Sequence, residues 1–190
     1  MTKYFIVLYF SVVLAVFGSE GITIESEADL LKAEALAEAH NQEAAVRVGE
    51  FYLFGPIHYQ DHEKALYFLK KAMKFGNLEA IELIAGMYLN GRGVDQDEVM
   101  ATRLYEIAAS QGHGPSEFNL GIIYKRGGGA LKAHPQKAYY WLYRAVLNES
   151  LDELRYDAAL YRNQVGELLS QGERMAILEK IYKEKEQSSF

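Results

Sequence analysis

The stretch "MYLNGRGVDQD", from Met87 to Asp97, decides the fold of this chain. It has the pattern of a helix end, a glycine break and the start of another helix. Its Tyr-x-x-Gly core recurs every 36 residues, at Tyr52, Tyr88 and Tyr124 and at Gly55, Gly91 and Gly127. A fixed period of this length is the sequence signature of a solenoid that stacks similar structural units.

The residues before the break predict the first helix of each unit. Ala44, Val48 and Tyr52 stand at i, i+4 and i+8, so they form one apolar stripe of a helix. Small residues at Gly49, Ala85 and Gly121 are expected to let a neighbouring helix approach closely. The glycines that follow the stripe are expected to end the helix in the left-handed conformation, which glycine adopts without steric cost.

The residues after the break predict a second helix. Asp61 and Asp97 stand where it would begin, and an aspartate there can accept hydrogen bonds from the free backbone amides. In the third copy Pro135 supplies a first-turn residue instead. Alanines then recur at i and i+7, with one extra residue in the third copy: Ala65 and Ala72, Ala101 and Ala108, Ala138 and Ala145. Gly76 and Gly112 are expected to end the second helices.

These columns predict an all-α fold, an α/α solenoid of three 36-residue helix-turn-helix repeats with helical caps. Stacked pairs bury a continuous core, and the terminal units need caps because they have a neighbour on one side only. The predicted divisions are 1–21, signal peptide or N-terminal anchor; 26–43, capping helix; 44–149, three repeats; 150–186, capping helix pair; and 187–190, disordered tail.

The first residues have the arrangement of an export signal. Lys3 precedes an uncharged apolar run from Tyr4 to Gly18, and small residues follow at Ser19 and Gly21. The run is shorter than the roughly 20 residues that span a bilayer. We therefore expect a signal cleaved near Gly18 or Gly21, the alternative being an uncleaved N-terminal anchor, and no other integral membrane domain.

The composition narrows the classes of partner. The net charge of −6, without a basic run, argues against nucleic acid as the partner. The chain contains no cysteine, and 49% of its residues are hydrophobic, so its core needs no disulfide. Together with an export signal, this predicts a periplasmic or secreted protein, with a bacterial periplasm favoured.

The repeats resemble a known family. The second copy, "IAGMYLNGRGVDQDEVMATRLYEIAASQG" (84–112), is similar to the Sel-1-like repeat, a relative of the tetratricopeptide repeat. The first copy lacks the Gly-Val of the loop, and the third has a one-residue insertion there. The resemblance implies a secreted bacterial α-solenoid that acts as a protein-interaction scaffold or adaptor. Some cysteine-rich members are credited with β-lactamase activity, which is not carried over to a chain without cysteine.

No motif in the sequence predicts catalysis. His58 and His62 are spaced as a metal pair could be, but a loop-to-helix boundary separates them. The "GGG" at 127–129 has neither the lysine nor the strand of a phosphate-binding loop. We therefore predict no catalytic residues, no metal and no cofactor. In the aromatic cluster at 139–143, Trp141 is expected in the core and Tyr140 partly exposed.

Solenoids of helix pairs commonly bind partners along the concave side, which the first helices line. We predict a protein or peptide partner there, contacted by Arg47, Phe51, Phe54, Leu83, Met87, Asn90, Asn119, Ile123 and Arg126. In an alternative interpretation Phe51, Met87 and Ile123 pack between repeats. The predicted function is a non-catalytic adaptor or regulator in the bacterial cell envelope. The alternatives are a secreted effector that binds a host protein and an envelope hydrolase.

Overall fold

Each repeat folds as two packed helices joined by a short loop. The structure, a computed structural model, describes residues 21–127, 132–148, 151 and 154–187. All regular elements within these ranges are helices: α1 Glu27–Glu38, α2 Gln42–Phe54, α3 His62–Met73, α4 Leu78–Asn90, α5 Glu98–Ser110, α6 Gly114–Arg126, α7 Pro135–Leu147, α8 Arg155–Gly166 and α9 Gln171–Gln187. The predicted all-α solenoid of three repeats is confirmed.

Side-chain caps start most of these helices. Asp61 accepts hydrogen bonds from the second and third backbone amides of α3, and Asp97 does the same for the third amide of α5, as predicted. Two of the first helices use asparagine instead: Asn41 caps α2 and Asn77 caps α4, and the Oδ1 of each lies 2.9 Å from a backbone nitrogen. Pro135 is the first residue of α7, as predicted.

The three loop glycines do not share one conformation. Gly91 is left-handed, with φ 66° and ψ 37°, as predicted. Gly127 has a positive φ of 60° but a ψ of −173°, which is outside the left-handed helical region, so the prediction is right there only in the sign of φ. The prediction is wrong for Gly55, whose φ is −65° and ψ −172°. The physical reason is the following Pro56, because a residue that precedes proline is driven to extended backbone.

Two glycines allow paired helices to pack closely. A Cβ atom placed on Gly49 would lie 2.6 Å from side-chain atoms of Leu69, which is closer than real Cβ contacts come. A Cβ on Gly121 would overlap Leu142 in the same way. Both leucines are fully buried. The expectation that this column permits close approach is therefore confirmed for α2 against α3 and for α6 against α7.

Two tyrosines of the column contact the preceding helix through their hydroxyls. The hydroxyl of Tyr52 donates to Glu34 of the capping helix α1 at 2.5 Å, and that of Tyr124 donates to Glu106 of α5 at 2.6 Å. The tyrosine column also makes backbone hydrogen bonds. The backbone carbonyls of Tyr52, Tyr88 and Tyr124 accept from the backbone amides of the N-cap residues of α3, α5 and α7, at 3.0, 2.9 and 2.8 Å respectively.

The apolar interior forms two main clusters that touch each other. One contains the buried residues of α1 to α4, and the other contains those of α4 to α8 with Leu169. Tyr88 and Leu104 pack against both clusters. The core therefore runs along the repeats without a break, as a solenoid requires.

The ends of the described chain differ in detail from the predicted divisions. The helix expected over 26–43 is α1, which ends at Glu38, because His40 has a positive φ of 68° and turns the chain into α2. At the other end α9 packs against α7 rather than pairing with α8. Gln187, placed in the tail, is the last residue of α9. The predicted signal at 1–21 lies outside the described residues except for Gly21, and so does the tail at 188–190.

Candidate functional site

Six of the nine residues predicted to contact a partner lie at the surface of three consecutive first helices. Each is exposed or half-buried in the structure. They are Arg47, Phe51 and Phe54 of α2, Asn90 of α4, and Asn119 and Arg126 of α6. We call this set the first-helix face.

The other three predicted contacts are core residues. Leu83 is 6% exposed, Met87 1% and Ile123 2%. Because a first helix packs against its own partner helix and the preceding one, its apolar face is wider than the single stripe identified in the sequence. These three side chains pack in the core and do not project from the first-helix face. The alternative interpretation therefore holds for Met87 and Ile123.

Polar side chains bridge the three first helices. The guanidinium of Arg47 binds both carboxylate oxygens of Glu79, at 3.0 and 2.9 Å, and also pairs with Glu50 in its own helix. One repeat further on, the amide of Asn119 donates to Glu82 at 3.0 Å. The carboxylates are therefore part of the site, although surface spacing in the sequence indicates only solvated helix faces.

Glu82 has the most perturbed acid–base behaviour on this surface. Burial of its carboxyl raises the pKa of Glu82 to about 7, and the negative charges of Glu79 and Glu50 act in the same direction. The hydrogen bond from Asn119 opposes them but is the smaller effect. The pKa of this carboxyl group is near 7 only because the three-dimensional structure buries it beside other carboxylates.

A narrow cleft lies beside Glu82 between the three first helices. Gly86 keeps it open, since this position carries no side chain, and the hydroxyl of Tyr105 lies 3.6 Å from where a Cβ would stand. The cleft has a cavity volume of about 30 Å³. Its wall is apolar at Leu53 and Met87, and Asn119 lies at its polar side. It is wide enough for a small group such as a water molecule or a side-chain tip.

Replacing Glu82 by glutamine should make the chain more stable at neutral pH. The folded pKa of about 7 exceeds the model-peptide value of 4.5, so between these pH values the folded state keeps a proton that the unfolded state has lost. Stability due to this group is therefore complete below pH 4.5 and falls as the pH rises to 7. We expect wild type to lose on the order of 1–2 kcal/mol relative to Glu82→Gln between pH 5 and pH 8.

Urea denaturation of both chains across this pH range measures the difference. A difference that does not change with pH would show that Glu82 ionises at its ordinary pKa. The comparison with glutamine cancels the contribution of the titrating groups that do not interact with Glu82, because they are the same in both chains.

Arg126 and Asn90 lie at the edge of the first-helix face. The guanidinium of Arg126 pairs with Glu98 of α5 at 2.7 Å, and its side chain is about half exposed. The side-chain amide of Asn90 donates to the carbonyl of Gly86 within α4. Exposed ion pairs of this kind contribute little to stability, so these positions can be changed without unfolding the chain.

The segment before α1 lies beside the first-helix face, a contact that the sequence did not predict. The residues from Gly21 to Glu25 belong to no helix, and Ile22 and Ile24 pack beside Phe51 and Phe54 of the first-helix face. The only sequence signal is the alternation of two isoleucines with polar or small residues.

Within 21–127, 132–148, 151 and 154–187, no group of three or more histidine, aspartate or glutamate side chains could hold a metal ion. In the same ranges no helix has the length and apolar character needed to cross a bilayer.

Solved structures of bacterial origin share the fold. The Sel1 repeat protein from Oxalobacter formigenes is 26% identical, with a TM-score of 0.60 over 70% of this chain and 98% of that one. The c5321 protein, described as a protective antigen of uropathogenic Escherichia coli with an SLR fold, is 24% identical. Its TM-score is 0.71 over 84% of this chain and 33% of that one, and this likeness shows the fold alone.

Curated relatives are longer proteins from eukaryotes. The chain is 36% identical over 110 residues to the ERAD-associated E3 ubiquitin-protein ligase component HRD3B of Arabidopsis thaliana, covering 57% of this chain and 17% of the relative. It is 31% identical over 157 residues to chitin synthase regulatory factor 4 of Schizosaccharomyces pombe, covering 79% and 23%. The chain thus spans less than a quarter of the length of each.

A family profile decides the membership. The Sel1 repeat profile matches residues 42–74, 78–113 and 114–149, which are the three helix pairs α2–α3, α4–α5 and α6–α7. These matches cover more than half of the chain and reproduce the period read from the tyrosine and glycine columns. This chain therefore belongs to the Sel1 repeat family.

Proposed function

We propose that this chain is a non-catalytic adaptor or regulator that binds a protein or peptide partner on the first-helix face. The observation that carries the proposal is the surface continuous over α2, α4 and α6, where aromatic, amide and cationic side chains lie together. The names of two relatives support it, since one is a component of a ubiquitin ligase and the other a regulatory factor of an enzyme.

The chemistry of the face suits protein recognition. Phe51 and Phe54 are half-buried aromatics, the kind of side chain that anchors protein interfaces. Arg126 at the edge adds a charge that can select a partner and speed its association. The ion pairs of Arg47 fix its guanidinium between α2 and α4, so a partner meets a preformed surface there.

We further propose that the chain acts in the bacterial cell envelope. The apolar N-terminal run with its single lysine supports export, and the absence of cysteine fits a periplasm. Fractionation of cells that express the full chain tests this. Retention in the periplasmic fraction is expected. Accumulation in the culture medium would instead favour an effector that binds a host protein, and retention in the cytoplasm would contradict export.

The binding face can be tested by site-specific photocrosslinking in cells. A photoreactive amino acid at Asn90 lies on the first-helix face, and the same amino acid at Arg103 lies on the exposed side of α5 as a matched control. We expect a discrete adduct from position 90 and none from 103. Adding Arg126→Glu should weaken the adduct, since reversing an edge charge slows association.

Two outcomes would contradict the proposed face. The same adducts from both positions would mean that capture is non-specific, and no adduct from position 90 would mean that partners do not bind there. Mass spectrometry of the adduct identifies the captured protein, which separates an envelope partner from a host protein.

A further inference from the structure

The start of the described chain already fills part of the first-helix face. The segment 21–25 lies beside α2 and belongs to no helix. Ile22 and Ile24 are half-buried, whereas the residues beside and between them are exposed. This alternation in burial is typical of an extended chain, in which side chains two positions apart face the same way. One face of the segment is therefore turned towards α2.

Apolar side chains place this segment beside α2. No backbone–backbone hydrogen bond of the described residues joins 21–25 to α2. The contact therefore depends on the shape and apolar character of two branched aliphatic side chains. Such a contact is specific for alternating aliphatic residues but weak, because it buries only part of two side chains.

The segment leaves the surface incompletely covered. A cavity of about 250 Å³ remains beside Ile22 and Ile24, bounded by Arg47, Phe51 and Phe54. The two phenylalanines stay half-buried even with the segment in place. A peptide that covered them more fully would remove more apolar surface from water than the chain's own segment does.

The same surface continues towards the middle of the chain. Phe54 borders both this cavity and the cleft that contains Glu82, Gly86 and Asn119. A peptide seated on α2 can therefore extend over α4 and α6 without leaving the first-helix face. The five-residue segment 21–25 covers only part of the first-helix face, the part that α2 forms.

We propose that the surface around Phe51 and Phe54 is a binding site for an extended peptide with branched aliphatic residues at positions i and i+2. The segment 21–25 is an intramolecular occupant with the same chemistry, which a partner must displace. Because the segment is tethered close to its site, it competes at a high effective concentration. It therefore raises the partner concentration that is needed for binding. This inference rests on the proposed function, since it names the class of partner for the same face.

A peptide copied from the chain tests the site without a known partner. The probe is fluorescein-labelled "GITIES", the sequence from Gly21 to Ser26, measured by fluorescence anisotropy. The receptor is the full chain, either wild type or with Ile22→Ser and Ile24→Ser. We expect the variant to bind the probe at least about tenfold more tightly than wild type, because its own segment no longer competes.

Two controls show what the probe recognises. A second peptide with serine in place of both isoleucines should bind neither receptor. Hydrogen exchange of the variant with and without the probe should show added protection at the end of α2, around Phe51 and Phe54. Neither control requires a substitution in the core, so failure to fold cannot mimic the expected result.

Three results would overturn the inference: no binding of the probe to the variant, equal binding to variant and wild type, or equal binding of the serine peptide. If one of these occurs while the crosslink from position 90 is found, the partner binds the face but is not an aliphatic extended peptide. If the crosslink is also absent, the proposed function itself fails.

Discussion

Replacing Gly121 by valine is expected to lower the free energy of unfolding by about 3 kcal/mol. A Cβ at this position of α6 would overlap the side chain of Leu142 and stand 3.3 Å from the backbone nitrogen of Leu142 in α7. Leu142 is fully buried, so it has no free space into which to move. The branched side chain must therefore push α6 away from α7. Urea denaturation followed by circular dichroism measures the loss.

Gly86 provides the matched control within the same fold. It also lies inside a first helix, but the nearest atom to an added Cβ is the hydroxyl of Tyr105 at 3.6 Å, an ordinary contact. Gly86→Ala should therefore raise the free energy of unfolding by about 0.5–1 kcal/mol, the usual helix preference of alanine over glycine. If Gly121→Val is as stable as wild type, the close packing of α6 on α7 does not hold.

The contrast between these glycines shows what the repeat period can predict. The columns at 36-residue spacing identified the helices, their buried stripe and the small residue at the helix contact, because each depends on local chemistry repeated in every copy. Gly55 departs from its column because Pro56 constrains it, and only the first copy has a proline there. A repeat prediction thus fails where a neighbour along the chain changes the backbone preference.

The candidate site was less predictable because it depends on packing between units. The sequence placed Leu83, Met87 and Ile123 on the correct helices but not on the correct side, since the width of the buried face is set by the preceding pair. The raised pKa of Glu82 arises first from burial, and then from one carboxylate three residues earlier in α4 and another in α2. The i, i+3 spacing within α4 is visible in the sequence, but the burial and the approach of the α2 carboxylate are not.

The N-terminal segment escaped prediction for a related reason. Two isoleucines separated by one residue are too short a pattern to indicate a strand. Ile22 and Ile24 are half-buried because α2 offers them an apolar surface, and the sequence of neither the segment nor the helix reveals this contact by itself. The predicted divisions, 1–21 and 26–43, left residues 22–25 unassigned, although Ile22 and Ile24 pack beside part of the predicted binding face.

Replacing Arg144 by methionine should cost about 3 kcal/mol at pH 7, because it leaves a buried carboxylate without its cation. Glu117 of α6 is 2% exposed and accepts from Arg144 Nε at 2.8 Å and from Asn148 Nδ2 at 3.1 Å. Burial raises the pKa of Glu117 in spite of the opposing charge of Arg144. Methionine keeps much of the bulk that packs on Trp141 but removes the charge. Urea denaturation at pH 7 measures the loss.

A second substitution separates charge from packing. Adding Glu117→Gln to Arg144→Met should restore most of the stability, since no buried charge is then left uncompensated. The sign of the pH dependence gives an independent check. Without Arg144 the folded pKa of Glu117 rises further, so the folded state takes up a proton as the pH falls and the penalty of the single variant shrinks towards pH 5. A double variant as unstable as Arg144→Met, with a penalty independent of pH, would show that lost packing and not the stranded carboxylate destabilises the chain.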